Sequence, residues 1–295
     1  MEYIPAKTII TRTKSTAWFG YDYNMNLYKG CCHGCIYCDS RSECYGVADF
    51  DQVRAKENAL QIVRDELRRK VKTGVVGTGA MSDPYNPFEK ELCLTRHSLE
   101  LLNAFGFGVG IATKSDLILR DIDILTEIAT HSPVMCKVTI TTSDDSLCKM
   151  IEPHVAKSSR RFEVLGQLSE QGLFTGILLM PVLPFLEDSE HNVREIVRLA
   201  KRANVRFIYP AFGMTLRQNQ REWYYHKLDE CFPAQNLRER YEKTYGIRYE
   251  CRSPRARELW NLFAHDCDEA GILYKMQDIV RANHLGYESG QLRFF

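Results

Sequence analysis

No apolar run in this sequence is long enough to cross a bilayer. The longest, Gly176 to Leu186, is broken by Pro181 and Pro184, whereas a spanning helix needs about 20 such residues. The start, Met1-Glu2-Tyr3-Ile4-Pro5, lacks the basic stretch and apolar stretch of a secretory signal. A soluble, cytoplasmic protein with no membrane partner is the expectation. Net charge is also nearly missing, with 39 Lys and Arg against 38 Asp and Glu, or +1. That balance gives neither a global basic field for nucleic acid nor the acidic excess of a disordered chain. No sequence period repeats, so a solenoid is excluded.

What is present is 295 residues, 44% of them apolar, enough for one α/β core with an extension. Eleven cysteines is a high, odd count, and three of them cluster. That usage points to intracellular metal chemistry rather than a disulfide framework. Cys93, Cys136, Cys148, Cys231, Cys251 and Cys267 are scattered and read mostly as small buried apolar residues.

The cluster lies in Tyr28-Lys29-Gly30-Cys31-Cys32-His33-Gly34-Cys35-Ile36-Tyr37-Cys38-Asp39. Cys31, Cys35 and Cys38 are spaced C-x3-C-x2-C, three thiols suited to an iron–sulfur cluster with one iron left open. Cys32, Cys35 and Cys38 begin a ferredoxin run, but its fourth place falls on Ser42. A structural zinc site needs a fourth protein ligand, for which Cys44 or His33 stands near in sequence.

Around this loop, strand and helix alternate. A lead-in over residues 5 to 22 precedes a short strand at Tyr23, Met25 and Leu27. A helix is expected over Phe50 to Lys72 with Asp51 at its start, then strand Val75 to Gly77, helix Leu94 to Phe105 and strand Gly108 to Thr113. Helix Leu119 to Ile128, strand Val134 to Thr142, helix Arg160 to Gln171 and strand Phe174 to Pro181 follow. Helix Ser189 to Arg202, capped by Ser189, and strand Arg206 to Pro210 complete about six units. Such alternation means a parallel sheet with covering helices, whose chemistry sits at the carboxyl ends of the strands; by itself it leaves a doubly wound sheet open. From Leu216 the pattern is mainly helical, with helices expected at Arg217 to Cys231, Ala234 to Tyr245 and Pro254 to Ala270. The organisation read is therefore a core over 1–215 and a helical extension over 216–295. Trp223, Tyr224, Tyr225 and Tyr241 are interleaved there with basic residues, which reads either as a nucleic-acid surface or as aromatic core anchors.

Three further stretches sit at strand ends. Gly74 to Pro87 combines small residues with Ser82-Asp83-Pro84-Tyr85-Asn86-Pro87, and small residues let a ligand approach the backbone. Lys114 ends the third strand and offers a point charge to a carboxylate. Thr139 and Thr141 alternate with aliphatics and so share one side.

C-x3-C-x2-C with Tyr37 before the third cysteine resembles the cluster motif of the radical S-adenosylmethionine (SAM) superfamily, and Gly30 to Ser40 with Ser82-Asp83-Pro84-Tyr85 is similar to its branch related to spore photoproduct lyase. The resemblance implies a partial (β/α)6 barrel in which Cys31, Cys35 and Cys38 hold a 4Fe-4S cluster. SAM would lie against Tyr37 and Ser82, with its carboxylate at Lys114 and its ribose near Thr139 and Thr141. It also implies a 5′-deoxyadenosyl radical for hydrogen abstraction, a ferredoxin or flavodoxin as electron donor, and a possible place in DNA repair.

The chain departs from the lyase itself at two places. Asp39 stands where the lyase has a tyrosine, and Gly79-Ala80-Met81 where it has a hydrogen-donating cysteine; no thiol lies between Cys44 and Cys93. Spore photoproduct cleavage is therefore not expected. Alternatives are a zinc- or cluster-stabilised nucleic-acid-binding module without SAM chemistry, and a radical enzyme acting on a peptide or metabolite. The ending Gln291-Leu292-Arg293-Phe294-Phe295 is similar to the short peptide by which bacterial repair proteins dock on the sliding clamp.

Overall fold

The chain opens with β1 (Glu2–Ile4) and β2 (Ile10–Arg12), enters the main sheet at β3 (Tyr23–Met25), and runs through β4 (Tyr28–Lys29) and the cysteine loop to β5 (Arg54–Lys56). Alternation then proceeds through α1 (Ala59–Arg68), β6 (Val75–Thr78), α2 (Glu89–Leu92), α3 (Leu94–Ala104), β7 (Gly108–Thr113), α4 (Ile122–Ala129) and β8 (Val134–Thr139). It continues with α5 (Asp145–Ile151), α6 (Ser158–Glu170), β9 (Phe174–Leu179), α7 (Glu190–Arg202) and β10 (Phe207–Pro210). The remainder is β11 (Gly213–Thr215), α8 (Gln220–Cys231), α9 (Leu237–Tyr245), β12 (Glu250–Arg252), α10 (Ala256–Ala270) and α11 (Met276–His284). The structure, a computed structural model, describes residues 1–287; the clamp-like stretch Gln291 to Phe295 lies outside the described residues.

The main sheet has the order β10-β9-β8-β7-β6-β3-β2. All neighbours from β3 to β10 pair parallel, and β2 alone is antiparallel. This is the expected six-stranded partial barrel, because parallel strands buried on both faces can be covered only by their own crossover helices. Val134, Cys136 and Val138 of β8 face the helices, together with Val109, Ile111 and Ile177. On the other face, Phe19, Tyr21, Met135, Leu178 and Phe207 form a separate cluster inside the barrel. Gly110 and Gly176 make room for these rings: a Cβ would stand 2.2 Å from Tyr21 and 2.0 Å from Phe207.

Several expected boundaries move. The helix expected from Phe50 begins at Ala59, because Arg54–Lys56 is a strand held between β1 and β4. Asp51 is no cap; it accepts a bond from Arg41 Nη1 at 2.8 Å. α4 starts at Ile122 after a tighter turn over Asp116–Asp121. β8 ends at Thr139 instead of Thr142, and α5 was not anticipated; Asp144 caps it by accepting from the Ser146 amide at 2.7 Å. Ser189 caps α7 as expected, accepting from the Asn192 amide at 3.1 Å. The C-terminal stretch adds α11 and β12 to the three expected helices, and β12 pairs antiparallel with β11 across α8 and α9. None of the helices among the described residues is long and apolar enough to cross a membrane.

The tyrosines of α8 and α9 are core, whereas Trp223 is half-buried with Arg41 3.9 Å and Lys227 4.8 Å from the centre of its ring. Tyr224, Tyr225, Tyr241 and Tyr245 are buried together with Phe185 packed against them, so the anchor reading holds for these tyrosines. Tyr241 accepts from the Tyr224 hydroxyl at 2.9 Å and donates to the Pro184 carbonyl at 3.0 Å. Tyr241→Phe strands two buried partners and is expected to cost about 1–3 kcal/mol, read as a lower urea midpoint at unchanged denaturant slope.

Candidate functional site

β3 delivers the chain through β4 to the cysteine loop, so the loop leaves the carboxyl end of the first parallel strand, where parallel barrels keep their chemistry. All eleven cysteines are free. Burial pushes the Cys31 thiol up to about 12 and raises Cys35 and Cys38 as well, so metal binding here displaces protons. The group of metal-capable side chains drawn within 4.8 Å of one another among the described residues is His265, Asp266 and Glu269, away from the loop. Tetrahedral zinc with bonds of about 2.3 Å requires sulfurs only about 3.8 Å apart. Cys31, Cys35 and Cys38 are not such a group. Both proposed fourth zinc ligands have other neighbours: His33 Nδ1 lies 3.6 Å from Asp83, and Cys44 is exposed with its sulfur 3.5 Å from Arg217 Nη1.

The other candidates gather around this loop. Ser82 donates to the Gly30 carbonyl at 2.5 Å, which ties the end of β6 to the residue before Cys31. Asp83, which the sequence reading did not single out, accepts from Thr113 Oγ1 at 2.7 Å, the Lys114 amide at 2.8 Å and the Tyr85 amide at 2.9 Å. It thereby joins the ends of β6 and β7. Its signal was the Ser-Asp-Pro-Tyr turn, where an aspartate bonds the amide two residues on.

Lys114 is half-buried with its Nζ 5.6 Å from the centre of the Tyr37 ring. Burial opposes its charge, but the neighbouring Cys35 sulfur and Glu152 carboxylate prevail and hold its pKa above the usual lysine value. Tyr37 is nearly buried, and its hydroxyl donates to Glu152.

Thr139 and Thr141 lie on the side of the β8 segment opposite Val138 and Ile140, as the alternation requires. Their surroundings differ. Thr139 sits at the end of β8 with its carbonyl accepting from Arg161 Nη1 at 2.8 Å. Thr141 is buried beside Glu187, whose carboxylate its hydroxyl faces, and the other Glu187 oxygen accepts from the Leu183 amide at 2.8 Å. Burial pushes the Glu187 carboxyl up to about 8. The free thiols of the loop and the charge at Lys114 fit a cluster with SAM beside it.

The Radical SAM superfamily pattern matches residues 25–200. An uncharacterized protein of Methanocaldococcus jannaschii is 33% identical over 195 residues, which is 65% of this chain and 71% of that protein. An uncharacterized protein of Mycobacterium tuberculosis is 29% identical over 246 residues, or 81% of this chain and 72% of that one. Among solved structures, spore photoproduct lyase complexed with dinucleoside spore photoproduct superposes with a TM-score of 0.66 at 14% identity, covering 92% of this chain and 80% of that one. A radical SAM methyltransferase from Kitasatospora setae with cobalamin and a 4Fe-4S cluster bound gives 0.58 at 12% identity, covering 88% and 60%. At such identities these two likenesses concern the fold.

Proposed function

The chain belongs to the radical SAM superfamily, and from that premise we propose that it abstracts a hydrogen atom from a substrate other than spore photoproduct, with Cys31, Cys35 and Cys38 as the ligands of the superfamily's 4Fe-4S cluster. When bound, cluster and SAM supply reductive cleavage to methionine and a 5′-deoxyadenosyl radical. The tasks of the protein are binding, orientation and exclusion of side reactions. Lys114 presents a positive charge to the SAM carboxylate, the Tyr37 ring offers a face to the adenine, and Ser82 holds the Gly30 carbonyl so that the loop keeps its place. Thr139, Thr141 and Glu187 offer polar atoms to the ribose side. A ferredoxin or flavodoxin is the electron donor in this reading.

The observation that carries the proposal is the three-cysteine loop at a strand end with Lys114 Nζ 5.6 Å from the Tyr37 ring. Asp39 and the thiol-free Gly79-Ala80-Met81 speak against the lyase's own way of closing the reaction. A role in DNA repair draws on the resemblance, since Tyr224, Tyr225 and Tyr241 are buried and offer no stacking faces, and the ring of half-buried Trp223 is already covered by Arg41 and Lys227.

Anaerobic reconstitution is expected to load about four irons per chain and to cleave SAM on reduction. Cys35→Ala is expected to abolish both, and a variant that still loads and cleaves would refute the assignment. Labelled SAM incubated with separated nucleic acid, peptide and metabolite pools then identifies the substrate by which pool exchanges hydrogen with the deoxyadenosyl group.

A further inference from the structure

Opposite the cysteine loop, the turn between α5 and α6 runs along residues 33 to 37. The Ile36 amide donates to the Ile151 carbonyl at 3.0 Å, and the His154 amide donates to the His33 carbonyl at 3.2 Å. Gly34 allows the approach: its φ is 71°, and a Cβ there would meet Pro153 and His154 at 3.0 Å. Within this clamp the Tyr37 hydroxyl, between the second and third cysteines, donates to Glu152. Glu152 also pairs with Arg161 Nη2 at 2.6 Å, with both side chains 1% exposed. Arg161 then reaches two carbonyls, Thr139 at 2.8 Å and Ala156 at 2.6 Å.

A fully buried ion pair is a poor way to gain stability, since well-packed apolar residues of similar volume do as well or better. Its geometric content is different. A planar guanidinium fork and a carboxylate fix direction as well as distance. Here the chain of contacts runs from the cysteine loop through Tyr37, Glu152 and Arg161 to the end of β8, joining the two walls between which the cofactors would sit.

We propose that Glu152 and Arg161 are positioning residues that set the three-cysteine loop against the end of β8, acting on the cluster and SAM through the Tyr37 hydroxyl. The inference rests on the reading of Cys31, Cys35 and Cys38 as cluster ligands. Neither residue touches the reacting atoms; Glu152 holds the Tyr37 hydroxyl, and Arg161 holds Glu152 and the end of β8. The sequence offered no sign of the pair, because Glu152 and Arg161 flank a turn whose partner lies 115 residues away.

The test uses the full chain reconstituted without oxygen, comparing Glu152→Gln, Tyr37→Phe and the double variant. The readouts are iron content, SAM affinity, the paramagnetic resonance spectrum of the reduced cluster with and without SAM, and thermal midpoint. Each single variant is expected to load iron as the parent does, to bind SAM at least about tenfold more weakly, and to lose much of the spectral change that SAM induces. The double variant is expected to be no worse than Glu152→Gln, because both break one linkage. Tyr37→Phe removes a single oxygen, so it keeps the test decisive should Glu152→Gln fold poorly. Unchanged SAM affinity and spectra in Tyr37→Phe, or losses that simply add in the double variant, would overturn the proposal. A parent protein that loads no iron would instead overturn the functional reading.

Discussion

Lys137→Met is expected to raise the thermal midpoint at pH 7 by roughly 5–10 °C. Lys137 lies on β8 between Met135 and Thr139 and points into the barrel, where Nζ stands 4.5 Å from the centre of the Tyr21 ring and 4.7 Å from that of Phe19. Among the described residues the amine has no hydrogen-bond partner, and burial alone pushes its pKa from 10.5 down to about 7. A lysine whose folded pKa is depressed costs stability. The cost is full below about pH 7, where both states are protonated, and disappears as pH rises toward 10.5. At 1.36 kcal/mol per pKa unit it is on the order of 5 kcal/mol, of which the two ring faces return about 2. Methionine fills the same slot and keeps favourable contact with the rings.

Parent and variant are to be melted across pH 7 to 10. The gap between them should be widest near pH 7 and narrow steadily as pH rises, and comparing the two chains cancels the titration of other groups. A variant that melts lower than the parent at pH 7 would mean that the cation–π contacts outweigh the burial cost.

Gly79→Ala is expected to destabilise the fold by about 4 kcal/mol or more, at the upper end of single substitutions. Gly79 follows β6 with φ 92°, a conformation that L side chains rarely adopt, and a Cβ there would stand 1.9 Å from the Ala112 carbonyl oxygen. The backbone fixes the position of the Cβ and its partner is a main-chain oxygen, so no rotamer change relieves the clash. Three residues on are Ser82 and then Asp83, which bond Gly30 and the end of β7; a shift at Gly79 therefore reaches the cysteine loop. Gly46→Ala is the control. Gly46 also has positive φ, 59°, but nothing lies within 4 Å of the added methyl, and only the conformational cost of about 1–2 kcal/mol applies. Urea denaturation of the two variants separates clash from conformation, and equal losses would deny the contact with Ala112.

Much of the architecture was legible in sequence because its cause is local. Apolar runs such as Val134 to Thr139 and amphipathic stretches such as Glu190 to Arg202 set strand and helix by spacing alone, and their alternation leaves few topologies. The motif residues were legible for a related reason: Cys31, Cys35 and Cys38 lie within one loop, and Ser82 and Lys114 directly follow strands. Where local spacing fitted two structures, it misled. Asp51 to Lys56 carries a pattern a helix would accept, yet Ala55 is wholly buried between β1 and β4, a pairing that only the folded chain supplies.

By itself, then, the sequence determined the family's chemistry: three thiols at fixed intervals with an aromatic residue inside them, placed after a parallel strand. The tertiary structure alone decided how that loop is held. Tyr37 to Glu152, Glu152 to Arg161, Asp83 to Thr113 and Lys137 to Tyr21 are contacts between residues from 9 to more than 100 positions apart. Desolvation and hydrogen-bond direction, which set the energy of such contacts, exist only once distant segments are brought together and water is excluded from between them.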